Sequence, residues 1–208
     1  MDWNIRIETP RLVVREFVLD DWKAVHRYAS DLDVVRFMIW GPNSEADSHA
    51  FIANVVEWQS VQPRRVFDLA VVTKEDQQLI GSCGFHLANT VSVGASQSIG
   101  LGISPEYNVD PSSYTLNKHG AMGYCFSKEA WGQGYATEAA TAVLHFAFEQ
   151  LGLHKMFAAC DVENTASLKV LERIGMRREG HLLEDILIKQ HWRDSYLYAI
   201  VNRDWNPL

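Results

Sequence analysis

The sequence lacks the features that mark secreted and membrane proteins. Its 208 residues include only three cysteines, an odd number that does not suggest a disulfide framework. We expect Cys83, Cys125 and Cys160 to be small core residues of a protein in a reducing compartment, the cytoplasm. The longest apolar runs are too short to cross a bilayer. The first residues also lack the basic and apolar segments that predict a signal peptide.

Positive charge is also scarce. The chain has 19 Lys and Arg residues against 26 Asp and Glu residues, which gives a formal net charge of −7 and a pI near 5.6. Because no long basic run is present to neutralise phosphates, we expect no nucleic-acid partner. The histidines show no metal-ligand spacing, so no metal site is predicted. An acidic surface suits a cationic acceptor such as an amine, but solubility alone is the simpler explanation.

The chain does contain a regular succession of strand-like and helix-like segments. Predicted strands cover residues 5–17, 66–72, 79–86, 121–127, 155–160, 181–189 and 195–202, and the last two meet around residues 191–194. Helices are predicted to begin at Asp20, near Ser44, after Gly134 and at the cap residue Asn164. Because no linker or internal repeat interrupts this pattern, we expect a single domain over residues 1–208.

One stretch, residues 87–120, departs from this pattern. It is rich in Ser, Asn, Gly and Pro, and only residues 98–103 are strand-like. A connection of about thirty residues is long for a compact domain and is typical of a functional flap or of disorder. The sequence therefore predicts an irregular insert at this point of the domain.

The most informative segment is Trp131–Ala139, which reads Trp-Gly-Gln-Gly-Tyr-Ala-Thr-Glu-Ala. It lies between a predicted strand and the start of an amphipathic helix. Gly132 and Gly134 allow a tight turn with outward-pointing N–H groups, and the helix start adds unpaired amides and a positive dipole end. This combination predicts a site for a phosphate-bearing ligand, although the glycines alone are equally compatible with an empty turn.

This loop resembles the acyl-CoA pyrophosphate loop of the GNAT superfamily of N-acetyltransferases, in particular its RimJ/RimL-like branch. Gly134 and Ala136 fit the superfamily pattern, whereas Trp131 stands where Gln or Arg is usual. The resemblance also covers residues 8–17, 79–82, 122–124, 164–167 and 171–176. Nearly the whole chain is thus covered, apart from residues 87–120.

The resemblance implies a GNAT fold of the α/β (mixed α+β) class. Its twisted mixed sheet has about seven strands, is split where CoA inserts, and is flanked by about four helices. The implied reaction is direct attack of a primary amine on acetyl-CoA, the co-substrate, without a metal or a covalent enzyme intermediate. The implied acceptor is a protein N-terminal α-amine. A small-molecule amine, such as an antibiotic or an amino acid, and a non-catalytic acyl-CoA sensor remain alternatives. The protein would be a monomer or homodimer, and we expect the insert to influence acceptor choice.

The resemblance also assigns site residues. The implied CoA-binding residues are Cys125, Phe126, Ser127, Trp131, Gly132, Gln133, Gly134, Tyr135, Ala136, Thr137, Asn164 and Ser167. Ser167 is also a candidate proton donor to the leaving sulfur, because Leu171 stands where many GNAT enzymes have a tyrosine. An alkyl ammonium must lose a proton before it attacks, so a general base is expected. The candidates are Glu184, Asp185 and His86, and the sequence does not choose among them.

Overall fold

The computed structural model describes residues 4–88 and 118–206. The predicted strand at residues 98–103 and most of the predicted insert lie outside these ranges. Residues 87–88 and 119–120, which were assigned to the insert, belong to the two flanking strands. The insert is therefore shorter at both ends than the composition of the sequence suggested.

The described residues form one mixed sheet of eight strands in the order β1-β2-β3-β4-β5-β6-β8-β7. All neighbouring strands are antiparallel except β5 and β6, which are parallel. The strands are β1 (Arg6–Glu8), β2 (Leu12–Glu16), β3 (Val66–Thr73), β4 (Leu79–Ala88), β5 (His119–Phe126), β6 (Lys155–Asp161), β7 (Arg177–Ile188) and β8 (His191–Val201).

The sheet has one strand more than the sequence segments suggested, because residues 5–17 form two strands instead of one. Thr9 and Pro10 make a turn in which the backbone N–H of Thr9 donates to the carbonyl of Leu12 at 3.0 Å. The Thr9 hydroxyl also accepts from the N–H of Leu12 at 2.9 Å. Proline has no N–H for a strand ladder, which explains why the chain reverses here.

Within the described residues, four α-helices flank the sheet, in agreement with the prediction of about four: α1 (Trp22–Ala29), α2 (Glu45–Ser60), α3 (Tyr135–His145) and α4 (Thr165–Arg173). The side chain of Ser44 caps α2 by accepting from the N–H of Asp47 at 3.2 Å. Asn164 caps α4 in the same way, with the N–H of Ser167 at 3.2 Å. Both helix starts follow from local sequence, because these side chains satisfy otherwise unpaired amides.

The sheet separates two buried clusters. Leu69, Phe85 and Met122 point toward α3 and α4, whereas Ala70 and Cys125 point toward α1 and α2. Neighbouring strand residues point to opposite faces, so adjacent positions contribute to different clusters. The three cysteines are free and buried, as expected for small core residues.

The sheet opens between β5 and β6. The two strands pair only at His119–Lys155, Gly120–Met156 and Ala121–Phe157. Beyond Ala121, β5 stays paired with β4 as far as Phe126, and β6 stays paired with β8 as far as Asp161. The strands therefore separate like the arms of a V, which is the split predicted from the family resemblance.

The turn between the last two strands differs from the prediction. β8 begins at His191, so residues 191–194 belong to a strand and not to a turn. The reversal uses Lys189 and Gln190, which have φ angles of 47° and 70°. Turns with two left-handed residues usually contain Asn or Gly, so this Lys-Gln pair gives no recognisable signal. The Lys189 ammonium donates to the carbonyl of Val35 at 2.5 Å, which attaches the turn to the loop between α1 and α2.

Candidate active site

A narrow cleft occupies the opening between β5 and β6. One wall comes from β5 and the other from β6, while α4 and the loop between α1 and α2 complete the lining. The lining residues are Phe37, Met38, Met122, Gly123, Tyr124, Ala158, Ala159, Cys160, Asp161, Asn164, Ser167 and Leu171. The cleft thus contains Asn164 and Ser167, two of the residues assigned by the resemblance.

A pair of hydroxyl groups links the two sides of this cleft. The phenolic oxygen of Tyr124 on β5 is 2.8 Å from the Ser167 hydroxyl oxygen, and it donates to the Ser167 carbonyl at 3.0 Å. Burial raises the pKa of Tyr124 well above its ordinary value, so this hydroxyl holds its proton at neutral pH. Leu171 is almost fully buried in the same lining. A tyrosine hydroxyl therefore reaches this part of the cleft from β5 and not from position 171 on α4.

Sequence reasoning missed Tyr124 as a candidate site residue. Its signal was the alternation of β5, in which Met122, Tyr124 and Phe126 share the face that packs against α3 and α4. That alternation predicts which face of the sheet Tyr124 occupies but not which residue it contacts. Only the packing of α4 against the opened sheet brings the Ser167 hydroxyl to this tyrosine.

The cleft has no uncompensated acid among its described lining residues. Asp161 accepts from the Arg193 guanidinium through both carboxylate oxygens, at 2.7 and 2.9 Å. The thiol of Cys160 is neutral, because burial raises its pKa to about 12. An anionic thiolate nucleophile is therefore not available from Cys160, which agrees with direct attack by an acceptor.

The predicted phosphate loop has the backbone geometry that it requires. Gly134 precedes α3 with a φ of 81°, and Gly132 has a φ of 73°. A Cβ atom at Gly132 would meet no atom within 4 Å, so nothing covers this backbone. The first amides of α3 have no partner within the helix, and the buried hydroxyl of Thr137 has no hydrogen-bond partner among the described residues. Together, the backbone amides and the Thr137 hydroxyl form a set of unpaired donors suited to an anion.

Arg11, which sequence reasoning did not single out, reaches this loop from the turn between β1 and β2. Its guanidinium donates to the carbonyl of Gln133 at 2.9 Å and to the Glu138 carboxylate at 2.7 Å. It also lies over the ring of Tyr135, 4.5 Å from the ring centroid. Although burial opposes the change, hydrogen bonds from Thr9 and Arg11 lower the pKa of Glu138. This network attaches the first turn of α3 to the turn between β1 and β2.

Trp131 connects the loop to the end of β5. Its indole N–H donates to the carbonyl of Phe126 at 3.0 Å, and the backbone N–H of Ser127 donates to the carbonyl of Ile80 at 2.8 Å. A pantetheine contact through the Phe126 carbonyl would therefore share this oxygen with the indole. The Cys125 side chain points away from the cleft, into the cluster beneath α1 and α2.

The three candidate bases lie outside the described lining of the cleft. Glu184 is exposed on the edge strand β7, with a φ of 46°, and its N–H donates to Asp194 at 2.9 Å. Asp185 follows it on the same edge strand. His86 is on β4, and its Nε2 atom is 3.9 Å from Oδ1 of Asp68. The structure thus places Ser167 and Asn164 in the lining of the cleft. The three candidate bases are not part of that described lining.

Within residues 4–88 and 118–206, the structure contains no group of three or more His, Cys, Asp or Glu side chains that could hold a metal ion. In the same ranges, no helix combines the length and the apolar character needed to cross a membrane.

The V-shaped split and the adjoining glycine turn define a class of transferase with an acyl-CoA site inside a mixed sheet. In agreement with this geometry, the model of the acetyltransferase (GNAT) domain matches residues 11–177. The chain therefore belongs to the GNAT family and is an N-acetyltransferase. GNAT acetyltransferases use acetyl-CoA, and the predicted fold is confirmed.

Relatives and a solved structure agree with this assignment over nearly the whole chain. The uncharacterized N-acetyltransferase YnaD of Bacillus subtilis (strain 168) is 31% identical over 97% of this chain and 100% of its own length. The [ribosomal protein uS5]-alanine N-acetyltransferase of Escherichia coli (strain K12) is 24% identical, with 98% and 94% covered. The crystal structure of a GNAT-family acetyltransferase from Bacillus anthracis is 30% identical, has a TM-score of 0.73, and covers 96% of this chain and 99% of that chain.

Proposed function

We propose that this N-acetyltransferase acetylates the α-amine at the N-terminus of a protein, using acetyl-CoA held in the cleft between β5 and β6. The observation that carries the proposal is the opening of the sheet beside the left-handed Gly134 and the start of α3. This juxtaposition offers an extended groove next to an anion site, as a long ligand with a pyrophosphate requires. The relative that acts on ribosomal protein uS5 supports a protein acceptor.

The loop residues would bind the nucleotide end of acetyl-CoA. The N–H groups from Gly132 to Thr137 would receive the pyrophosphate, because a helix start combines free donors with a positive dipole end. Beyond Ala121, the edge of β5 that faces β6 has no strand partner among the described residues. The pantetheine arm would lie along this edge as an added strand does.

The hydroxyl pair would act at the thioester. The amine nitrogen attacks the acetyl carbonyl carbon, and the resulting tetrahedral intermediate breaks its carbon–sulfur bond. The electron pair stays on sulfur, which then accepts a proton. Ser167 and Tyr124 line this part of the cleft with 2.8 Å between their hydroxyl oxygens, so either hydroxyl could donate this proton to the sulfur. The attacking nitrogen loses one N–H proton as it becomes an amide, and this proton passes to the hydroxyl pair and restores it.

The proposal is tested by following acetyl-CoA consumption with matched acceptors. We expect turnover with peptides that begin with alanine or serine, and a much lower kcat/KM with free amino acids and aminoglycosides. The same alanine peptide with an acetylated N-terminus is the control and should give no turnover above the hydrolysis background. A preference for the small amines would make the protein a small-molecule acetyltransferase. CoA binding without turnover of any acceptor would instead favour an acyl-CoA sensor.

A further inference from the structure

A buried acid and a histidine lie unpaired on the face of the sheet that packs against α1 and α2. Asp68 of β3 is only 2% exposed. Neither of its carboxylate oxygens has a hydrogen-bond partner among the described residues, and neither does Nε2 of His86 on β4. Oδ1 of Asp68 and Nε2 of His86 are 3.9 Å apart, close enough for a charge interaction but too far for a hydrogen bond. Unpaired buried groups cost about 1–3 kcal/mol each, so such a pair calls for a functional explanation.

The register of the sheet puts this pair next to the opening. Asp68 is opposite Gly84, and Gly84 is opposite Gly123, which lines the cleft. His86 is opposite Ala121, the last residue at which β5 still pairs with β6. Because neighbouring strands are about 4.8 Å apart, the backbone of His86 is one strand away from the point where the sheet divides. The register therefore places His86 on the strand next to β5, beside the point where the opening begins.

The two side chains differ in their access to solvent. The side chain of His86 is 13% exposed, whereas that of Asp68 is 1% exposed. Nε2 is the ring nitrogen closest to Asp68, which leaves Nδ1 on the side of the ring away from the acid. A buried carboxylate behind one nitrogen of an accessible imidazole is the arrangement that stabilises an imidazolium during proton transfer.

Two other ionisable groups on this face of the sheet are neutral. Burial raises the pKa of Tyr28 on α1 and raises the pKa of Cys125 on β5 to about 12. Neither group carries a charge at neutral pH, so neither competes with His86 for the interaction with Asp68.

We propose that His86 is the general base for the acceptor amine and that Asp68 is the positioning residue that stabilises the protonated imidazole. The inference rests on the proposed function. An N–H bond of the ammonium breaks, and its electron pair becomes the lone pair that attacks the thioester. The proton forms a bond to Nδ1 of His86 and later passes to solvent, while the N–H at Nε2 faces Asp68. This assignment selects His86 over Glu184 and Asp185, which are on the edge strand β7.

The test compares two acceptors that differ in whether they need a base. One is a peptide that begins with alanine, and the other is the same peptide with an aminooxyacetyl group in place of that residue. The aminooxy nitrogen is unprotonated at neutral pH and does not have to lose a proton before it attacks. We expect His86→Gln to lower kcat/KM for the alanine peptide by about a hundredfold. For the aminooxy peptide, we expect kcat/KM to decrease by less than about threefold, because only the change in side-chain shape remains.

Asp68→Asn keeps the shape of the side chain and removes its charge, so we expect a smaller loss, about tenfold, again confined to the alanine peptide. The double variant Glu184→Gln/Asp185→Asn is the matched control and should react like the parent with both peptides. The CoA dissociation constants of all variants should stay within about threefold, below roughly 1 kcal/mol. If His86→Gln does not fold, the comparison of the two peptides rests on Asp68→Asn. We expect this variant to fold, because the substitution removes an unpaired buried charge.

Equal losses for the two peptides would show that the pair has only a structural role and would overturn the proposal. A loss of turnover in the Glu184→Gln/Asp185→Asn control, with His86→Gln unaffected, would also overturn it and assign the base to β7. A parent protein that turns over neither peptide would contradict the proposed function itself, and this inference with it.

Discussion

Asp161 and Asp68 are both 2% exposed, yet they lie on opposite sides of the opening, on β6 and β3, and have different surroundings. Asp161 lines the cleft and accepts two hydrogen bonds from Arg193 and one from the N–H of Glu163 at 2.8 Å. Asp68 faces α1 and α2, and neither of its oxygens has a hydrogen-bond partner within the described residues. The cost of burying a carboxylate is offset in the first case but not in the second. We therefore regard Asp161 as a structural acid and Asp68 as a functional one.

The same difference separates particular groups on the two faces of the sheet. On the side of α3 and α4, Tyr124 is joined to Ser167 and Arg11 to Glu138. On the side of α1 and α2, Asp68 and His86 remain unpaired. The paired groups hold the shape of the predicted CoA site before any ligand arrives. In the proposed mechanism, the partly exposed His86 receives the proton of an acceptor that approaches from this side.

The contrast between Asp161 and Asp68 is tested most directly by removing the charge of each acid in turn. Asp161→Asn leaves Arg193 without its main partner, and we expect the free energy of unfolding to fall by about 3 kcal/mol. Asp68→Asn should leave it unchanged or raise it, because no cation loses a partner. Urea denaturation of the two variants and the parent measures both values. Equal destabilisation by the two substitutions would show that Asp68 is as structural as Asp161.

A charge at the phosphate loop tests whether the face of α3 and α4 binds CoA. Gly134→Glu introduces a side chain at a φ of 81° and a carboxylate where the pyrophosphate should bind. CoA at a hundred times its dissociation constant should stabilise the parent by about 2.7 kcal/mol, and the variant should lose this gain. Thermal denaturation with and without CoA measures the effect.

Gly152→Glu is the matched control for this prediction. Gly152 follows the helical segment that begins with α3 and has a φ of 61°. A side chain at Gly152 therefore introduces a similar backbone strain outside the phosphate loop. We expect CoA to stabilise Gly152→Glu as it does the parent. If CoA stabilises Gly134→Glu as much as it stabilises the parent, the pyrophosphate does not bind at this loop.

Removing one hydroxyl of the cleft should have a smaller effect than either change. Tyr124 lies 2.8 Å from the Ser167 hydroxyl oxygen and could still donate when that hydroxyl is absent. We therefore expect Ser167→Ala to lower kcat by about tenfold, and Ser167→Ala with Tyr124→Phe to lower it by about a hundredfold. CoA affinity, measured by calorimetry, should change little in both variants. An unchanged kcat in the double variant would leave the hydroxyl pair with a structural role alone.

The smallest effect should come from the surface network at the start of α3. Hydrogen bonds that lower the pKa of Glu138 stabilise the fold above the pKa of an unfolded glutamate, about 4.3. This contribution is lost as the pH falls through the lowered pKa of the folded state. Because Arg11 is 47% exposed, Glu138→Gln should cost less than about 1 kcal/mol at pH 7. The difference from the parent should shrink in urea denaturation as the pH falls below the pKa of an unfolded glutamate, about 4.3, and a constant difference would rule out the charge as its origin.

Much of the fold could be predicted because its signals are local. Ser44 and Asn164 cap helices with their own side chains, and Gly134 makes the tight turn expected before α3. These residues act on backbone groups within a few positions of themselves, so their spacing in the sequence is sufficient. The turn at Lys189 was missed for the converse reason, since its left-handed residues carry no such preference.

The candidate site was predictable only in part. The sequence pointed to the loop around Gly134 and to Ser167, whose proposed roles follow from a motif read along the chain. It did not indicate Arg11, Tyr124 or Asp68. Arg11 meets Glu138 across 127 positions, and Tyr124 meets Ser167 across 43. Pairings of this length depend on how strands and helices pack, which no spacing rule records.

The sequence by itself determined the helix starts, the glycine turn before α3, and the family to which the chain belongs. The tertiary structure decided where the sheet opens, which hydroxyls meet across the cleft, and which of two buried acids has a partner. The physical reason is that backbone preferences act over a few residues, whereas burial and charge compensation depend on neighbours that are distant in the chain. Asp161 and Asp68 are the same residue type on strands of one sheet, and only the fold gives one of them an arginine.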